Sequence, residues 1–283
     1  MKRIAAVLCA LCVLCALPAL AANYADVFTS FDQRDNWTEA VTIVFNADGV
    51  LVNGSGVTVD GTTVFITAPG TYQLSGECAN GQVVVQLSKE EKAQLVLSGL
   101  TLTCQDSAPL YVLSADKVSL TLAPGSVNTF TDAAVYARPF EKAPRGCICS
   151  KDDLTINGSG ELVVNGLNNN GIDCGNDLRI LSGTVTVTAV KNALKGDDSV
   201  AIRDGLITLS AGKDGIKADN DVDAGKGYVY VGGGTVLIDA GDDALQASQD
   251  ITVSGGSVQV SVSGKTVNSK GTQDIAAGVI TQK

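Results

Sequence analysis

From residue 150 onward, aliphatic residues recur at every second position in short bursts, and the bursts repeat in register. One set of equivalent positions holds Leu154, Leu178, Val200, Val229 and Ile251; two residues on stand Ile156, Ile180, Ile202, Val231 and Val253. A turn glycine follows at Gly160, Gly183, Gly205, Gly234 and Gly256. Then come Leu162, Val185, Ile207, Val236 and Val258, and two residues on again Val164, Val187, Leu209, Ile238 and Val260. A preceding segment, read as Asn or Asp, then Gly or Ala, then Ile or Leu, aligns Ile172, Leu194, Ile216 and Leu245, with a degenerate copy centred on Ile148.

A period of two means strands with one buried face, and Val, Ile, Leu and Thr suit strands better than helices. Each repeat of about 22 to 29 residues holds two or three short strands and cannot bury its aliphatic face alone. Stacking the repeats puts equivalent side chains about 4.8 Å apart in continuous columns. The pattern therefore predicts an all-β parallel β-helix, a solenoid of stacked coils. A β-sandwich is the alternative, but it does not require register between successive copies.

The same grammar runs more weakly through Leu95, Leu97, Leu100 and Leu102, then Val118, Leu120 and Leu122. This gives one domain over residues 22–283, with regular coils over 95–262 and a cap or first coils over 22–94. Covering a solenoid end keeps its open strands from pairing with other molecules. The stretch from Thr131 to Gly146, with Pro139 and Pro144, reads as a loop bulging from the stack. Residues 1–21 have the order of a secretory signal peptide: Lys2 and Arg3, an apolar run from Ile4 to Leu17, then Ala19-Leu20-Ala21. That run is short for a membrane span, so the protein is expected to be secreted, extracellular or surface-associated, without membrane insertion.

The formal net charge is −10, and cleavage of the signal takes it to −12. Such a chain lacks the clustered Lys and Arg that hold nucleic acid. It contains no His, which excludes a Ser-His-Asp triad and His-ligated zinc. Five cysteines follow the signal, an odd number that leaves at least one unpaired. Cys149 and Cys174 fall almost one coil apart and are the expected disulfide, with Cys78 and Cys104 a weaker second pair.

Carboxylates concentrate at the C-terminal turns. The run Asp219, Asp221 and Asp223, followed by Gly225, lies in a turn seven residues longer than its counterpart. Alternating carboxylates can wrap Ca2+, which takes six to eight oxygen ligands; Asp214, Asp242 and Asp243 are further candidate ligands. A solvated polar turn accounts for the same residues equally well. Lys195 and Lys217 follow the buried aliphatic of their coils, so they point outward and stack. Like charges repel there unless something negative intervenes, either a uronic-acid chain or neighbouring Asp residues. Asn170, Asn192, Asp214 and Asp243 form another ladder, whose side chains can instead bond turn backbones. Tyr228 and Tyr230 share a face and could form a small sugar-stacking surface.

With the repeat established, GTYQLSG from Gly70, SKDDLTINGSG from Ser150, and DGIKADND followed by GYVYVGGGTV resemble the carbohydrate-binding β-helix family of secreted bacterial proteins. The resemblance covers about Thr42 to Val260. It implies a right-handed parallel β-helix related to pectate lyases, bound Ca2+, and affinity for plant cell-wall polysaccharide, especially acidic pectic chains. It brings no established catalytic activity. Cys147, Cys149 and Cys174 stand where small polar residues would be expected. The leading reading is a non-catalytic, calcium-stabilised binder of extracellular polysaccharide such as polygalacturonate. The alternatives are a pectic lyase or hydrolase, for which Arg179 and Arg203 could supply a base beside Lys195 and Lys217, and a structural or adhesion protein.

Overall fold

The computed structural model describes residues 24–47, 49–137 and 143–283. The predicted signal peptide lies outside the described residues, as does part of the loop between Thr131 and Gly146. The chain forms a parallel β-helix, as the periodicity predicts. A typical coil contributes Leu194–Gly196 to sheet one, Ser199–Ile202 to sheet two and Leu206–Ala211 to sheet three. From Asn170 to Asp243 successive coils are offset by 22 or 29 residues, and the coil that carries the bulging loop is offset by 36, from Lys117 to Asp153. Among the described residues sheet one has ten strands. Sheets two and three join because the long strand Lys92–Thr103 pairs with Lys117–Leu122 in one and with Val127–Thr131 in the other.

The expected columns are present. Leu154, Leu178, Val200, Val229 and Ile251 pair in sequence along sheet two, as do Ile156, Ile180, Ile202, Val231 and Val253. Leu162, Val185, Ile207, Val236 and Val258 do so along sheet three. All are buried in a single apolar core. Each such side chain contributes about 1.5 to 3 kcal/mol when fully buried, so the columns hold the fold together.

Gly183, Gly205, Gly234 and Gly256 have φ of 97°, 124°, 78° and 80°, the left-handed region that disfavours a side chain. In the coil before them the turn is one residue longer, and that conformation moves to Gly158 at φ 94°. Gly160 is required for a different reason: a Cβ there would lie 2.4 Å from the Ala123 carbonyl oxygen.

The regular coils extend further than residues 95–262. Gly70–Cys78 already pairs in parallel with Lys92–Thr103, and Ile280–Gln282 pairs with Ser257–Val262. Two antiparallel hairpins, Val41–Asn46 with Gly49–Asn53 and Val57–Asp60 with Thr63–Ile66, precede them at the N-terminal end.

The expected disulfides do not form: none of the five described cysteines is joined to another, and all are buried. Cys149 pairs with Asp173, while Cys174 pairs with Ser150. An offset of one residue reverses the side-chain direction, so Cys174 joins the core and Cys149 belongs to the outward ladder. Cys78 registers with Leu102, not Cys104. Burial pushes the Cys149 thiol up to about 12 and those of Cys147 and Cys174 well above the ordinary range. Thiols held protonated and covered react slowly. Cys78 and Cys104 are covered as well, so a thiol-labelling reagent should modify the five cysteines only after denaturation, and a cystine-linked peptide in the unreduced digest would refute the assignment.

Candidate functional site

Sheet one carries two polar ladders. The first caps successive coils. Asn170 Oδ1 accepts from the Asn192 backbone N–H (3.2 Å), Asn192 Oδ1 from Asp214 N–H (3.2 Å), Asp214 Oδ1 from Asp243 N–H (3.3 Å) and Asp243 Oδ1 from Lys265 N–H (2.7 Å). These side chains satisfy turn donors, the local role open to Asn and Asp.

Where Asn gives way to Asp the ladder gains charge. One carboxylate oxygen from each of Asp214, Asp242 and Asp243 lies within 4.8 Å of the others. Asp214 and Asp243 are nearly buried; Asp242 is exposed. Gly264 faces this group: a Cβ there would come within 2.7 Å of an oxygen of Asp242 and one of Asp243. Lys217 Nζ donates to Asp214 Oδ2 at 3.1 Å, and Asn268 Nδ2 donates to Asp243 Oδ2 at 2.5 Å. Each of these oxygens retains a second lone pair.

The three remaining candidate ligands do not join this group. Asp219 pairs with Lys195 (3.0 Å), Asp221 with Lys270 (3.4 Å) and Asp223 with Lys226 (3.7 Å). The long turn is instead organised by Asn220, whose Oδ1 accepts from the backbone of Val222 and Asp223 and whose Nδ2 donates to Asp198 and Asp223.

The second ladder is Cys149, Asp173, Lys195, Lys217, Gln246 and Asn268, in that register. Lys195 and Lys217 stack as expected, and the negative charge between them comes from the protein. Lys195 is buried against Asp197 and Asp219. Burial opposes its ammonium charge, yet Asp197, Asp173 and Asp219 outweigh that and raise its pKa. Arg145, from the bulging loop, pairs with both Asp173 and Asp197 at 3.0 Å. Burial raises the Asp173 carboxyl above its ordinary range against these cations. Arg145 lies 28 and 52 residues from these partners, and no sequence periodicity marks it. Lys217 is the less buried of the two lysines and flanks the Asp cluster.

Tyr228 and Tyr230 share a face, but the chain itself covers it. The Tyr24 ring lies 4.7 Å from Tyr228 and 5.2 Å from Tyr230, and Phe28 lies 6.4 Å from Tyr230. Residues 24–37 form a strap that runs along sheet two as far as Gln94, whose Nε2 donates to the Arg34 and Asn36 carbonyls. The candidate base Arg179 lies beneath it. Its guanidinium bonds Asp153 (3.0 Å), Asp177 (2.8 Å) and the Val27 carbonyl (2.8 Å). Arg203 lies over the Phe28 ring at 5.9 Å. The strap has no periodic pattern, so its docking was not legible from the repeats.

A family profile described as "Carbohydrate-binding domain-containing protein" matches residues 60–282. A protein of that description from Acetivibrio thermocellus is 46% identical over 150 residues, 52% of each chain. The chain thus spans about half the length of the curated relative it matches. A solved structure described as the polysaccharide lyase-like protein from C. thermocellum, gadolinium derivative, superposes with TM-score 0.84 at 44% identity, covering 87% of this chain and all of the other. With a profile match across most of its coils and a solved relative of the same architecture, the chain belongs to the carbohydrate-binding domain-containing protein family.

Proposed function

We propose that the protein is a secreted, non-catalytic binder of acidic cell-wall polysaccharide, pectic chains such as polygalacturonate, and that Ca2+ both stabilises it and bridges it to its ligand. The observation that carries this reading is the convergence of Asp214, Asp242 and Asp243 at Gly264, beside Lys217. Three carboxylates supply part of the six to eight oxygens that Ca2+ takes. Asp242 leaves the group open to solvent, where water or a uronate carboxylate can complete the shell. A cation held there gives an anionic protein a way to hold an anionic polymer. The solved relative is described as a gadolinium derivative, and gadolinium, like calcium, is a hard cation that favours oxygen ligands. The lyase reading requires a free base, whereas Arg179 and Lys195 are each engaged by two carboxylates, Lys217 by Asp214, and Arg203 lies over the Phe28 ring under the strap.

The direct test is retention on polygalacturonate with Ca2+ and with EDTA, while the supernatant is followed for unsaturated products and reducing ends. Calcium-dependent retention without product formation is expected; product formation would replace the reading with catalysis. Ca2+ at a hundredfold excess over its dissociation constant should stabilise the fold by about 2.7 kcal/mol, raising the melting temperature by about 5 to 10 °C. Mg2+ should do less, because it demands a smaller octahedral cage. The informative substitution is Asp214→Asn with Asp243→Asn. Asn170 and Asn192 perform the same backbone cap in neighbouring coils, so this variant should keep the fold and lose the calcium response. A calcium-induced melting shift equal to the parent's would place the ion elsewhere.

A further inference from the structure

Beneath the strap, sheet two carries a row of groups directed outward that are suited to recognising a ligand. Asp32 is fully buried there. Its Oδ1 accepts from Lys117 Nζ (2.8 Å) and Thr155 Oγ1 (2.6 Å), and its Oδ2 accepts from the Thr29 N–H (2.7 Å) and Oγ1 (2.8 Å). Arg179 Nε lies 3.9 Å away. Asn157 Nδ2 donates to the Asp32 and Arg34 carbonyls (2.8 and 2.9 Å). Its Oδ1 is buried with no hydrogen-bond partner among the described residues, an acceptor for which the strap supplies no donor. Farther along the row, Tyr24 lies on Tyr228 and Tyr230. A cavity of about 410 Å3 opens beside Asp32, bounded by Phe31, Lys92, Asp116, Lys117, Asp153 and Arg179.

We propose that this strip, from Lys117 through Thr155, Asn157 and Arg179 to Tyr228 and Tyr230, is a second binding site, for a uronate-bearing oligosaccharide, and that the strap masks it as an intramolecular stand-in. The ligand class rests on the function proposed above; the site does not. The Asp32 carboxylate takes the place of a uronate, accepting from an ammonium and a hydroxyl beside a guanidinium. The carbonyls of Val27, Asp32 and Arg34 take the place of sugar oxygens. The Tyr24 ring takes the place of a pyranose face against the tyrosines. The orphaned Asn157 Oδ1 is the acceptor that a sugar hydroxyl would satisfy.

The manner of attachment supports exchange. A segment serving only to close the sheet is held at least as well by apolar packing, because a buried ion pair is often matched or exceeded by hydrophobic side chains of similar volume. Here the apolar anchor is small: Val27 and Phe28 against Leu181, Ala201 and Tyr230. Apart from the Tyr24 ring on Tyr228 and Tyr230, whose place a pyranose face can take, the strap is held by hydrogen bonds and an ion pair that a polar ligand can replace. While tethered, the strap competes at an effective concentration in the millimolar range, so the intact chain masks the strip from a dilute ligand.

The test inserts a specific protease site between Thr38 and Ala40 of the otherwise complete mature chain and measures oligogalacturonate binding in EDTA, before and after cleavage. Cleaved protein should bind about tenfold more tightly or better, and Arg179→Gln should remove the gain. A synthetic peptide spanning Tyr24–Trp37 should restore the mask, and the same peptide with Asp32→Asn should compete at least about tenfold less well. A neutral cello-oligosaccharide should gain nothing. Phe28→Ala in the cleaved chain removes the main apolar anchor and should release the strap, as read by mass after gel filtration, with circular dichroism confirming the fold. Release without a gain in binding, an equal gain for the neutral sugar, or a strap retained even in the Phe28→Ala chain would overturn the proposal. Asp214→Asn with Asp243→Asn should leave this EDTA-resistant binding intact, so its failure is distinguishable from failure of the calcium-dependent site.

Discussion

Replacing Ile202 with Asp should destabilise the protein by about 4 kcal/mol or more, among the largest effects a single substitution produces. Ile202 is fully buried and stacks between Ile180 and Val231. The substitution removes most of an aliphatic side chain from the column and puts a carboxylate in its place with no partner, and each effect separately costs several kcal/mol. Coils contact mainly their neighbours, so the damage should spread along the stack from that point. Thermal melting followed by circular dichroism should show a much lower or a split transition. Ile202→Val should cost only about 0.5 to 1.5 kcal/mol. Leu206, four residues on, is 46% exposed, and Leu206→Asp should change stability by no more than about 0.5 kcal/mol. Equal effects at the two positions would show that the register is wrong.

The second large effect concerns the strap. Asp32→Ala leaves Lys117 buried without its nearest carboxylate, which lies at 2.8 Å; the next, Asp153, is at 3.5 Å. Breaking a buried pair from one side costs about 3 to 5 kcal/mol. Removing both charges, as Asp32→Asn with Lys117→Met, should cost clearly less than the sum of the single changes, because partners in one network couple. Additive losses would show that the pair contributes nothing as a pair. The same contact carries a pH dependence. Burial pushes the Asp32 carboxyl up, but the bonds from Lys117, Thr155 and Thr29 outweigh it and hold its pKa below the ordinary value. A depressed carboxyl contributes stability that is present above the unfolded pKa, about 3.9, and is lost as pH falls through the folded value. Parent and Asp32→Asn should therefore converge in stability as the solution is acidified below about pH 4.

The glycine turns show how far local pattern reaches. Gly183, Gly205, Gly234 and Gly256 take the backbone angles that their fixed place in the repeat suggests. Gly160 aligns with them in the repeat but does not, because one extra residue in its turn moves the strained angle to Gly158. The cysteines show the same limit. Counting residues brings Cys149 and Cys174 to within one position of register, and in a strand one position is the difference between core and surface.

The sequence by itself determined the solenoid, its columns and the direction of its ladders. A two-residue period repeated in register buries all its aliphatic residues together when the copies stack into continuous columns. It also placed Lys195 over Lys217 and aligned Asn170, Asn192, Asp214 and Asp243. Only the tertiary structure decided which of those groups remain open. It gathered Asp242 with Asp214 and Asp243, dispersed Asp219, Asp221 and Asp223 onto separate lysines, and laid the strap over Tyr228 and Tyr230. These outcomes depend on contacts such as that of Asp32 with Thr155, 123 residues apart. The repeat encodes how each coil meets the next, whereas a segment that runs across the coils meets them by charge and shape, and neither property leaves a period in the chain.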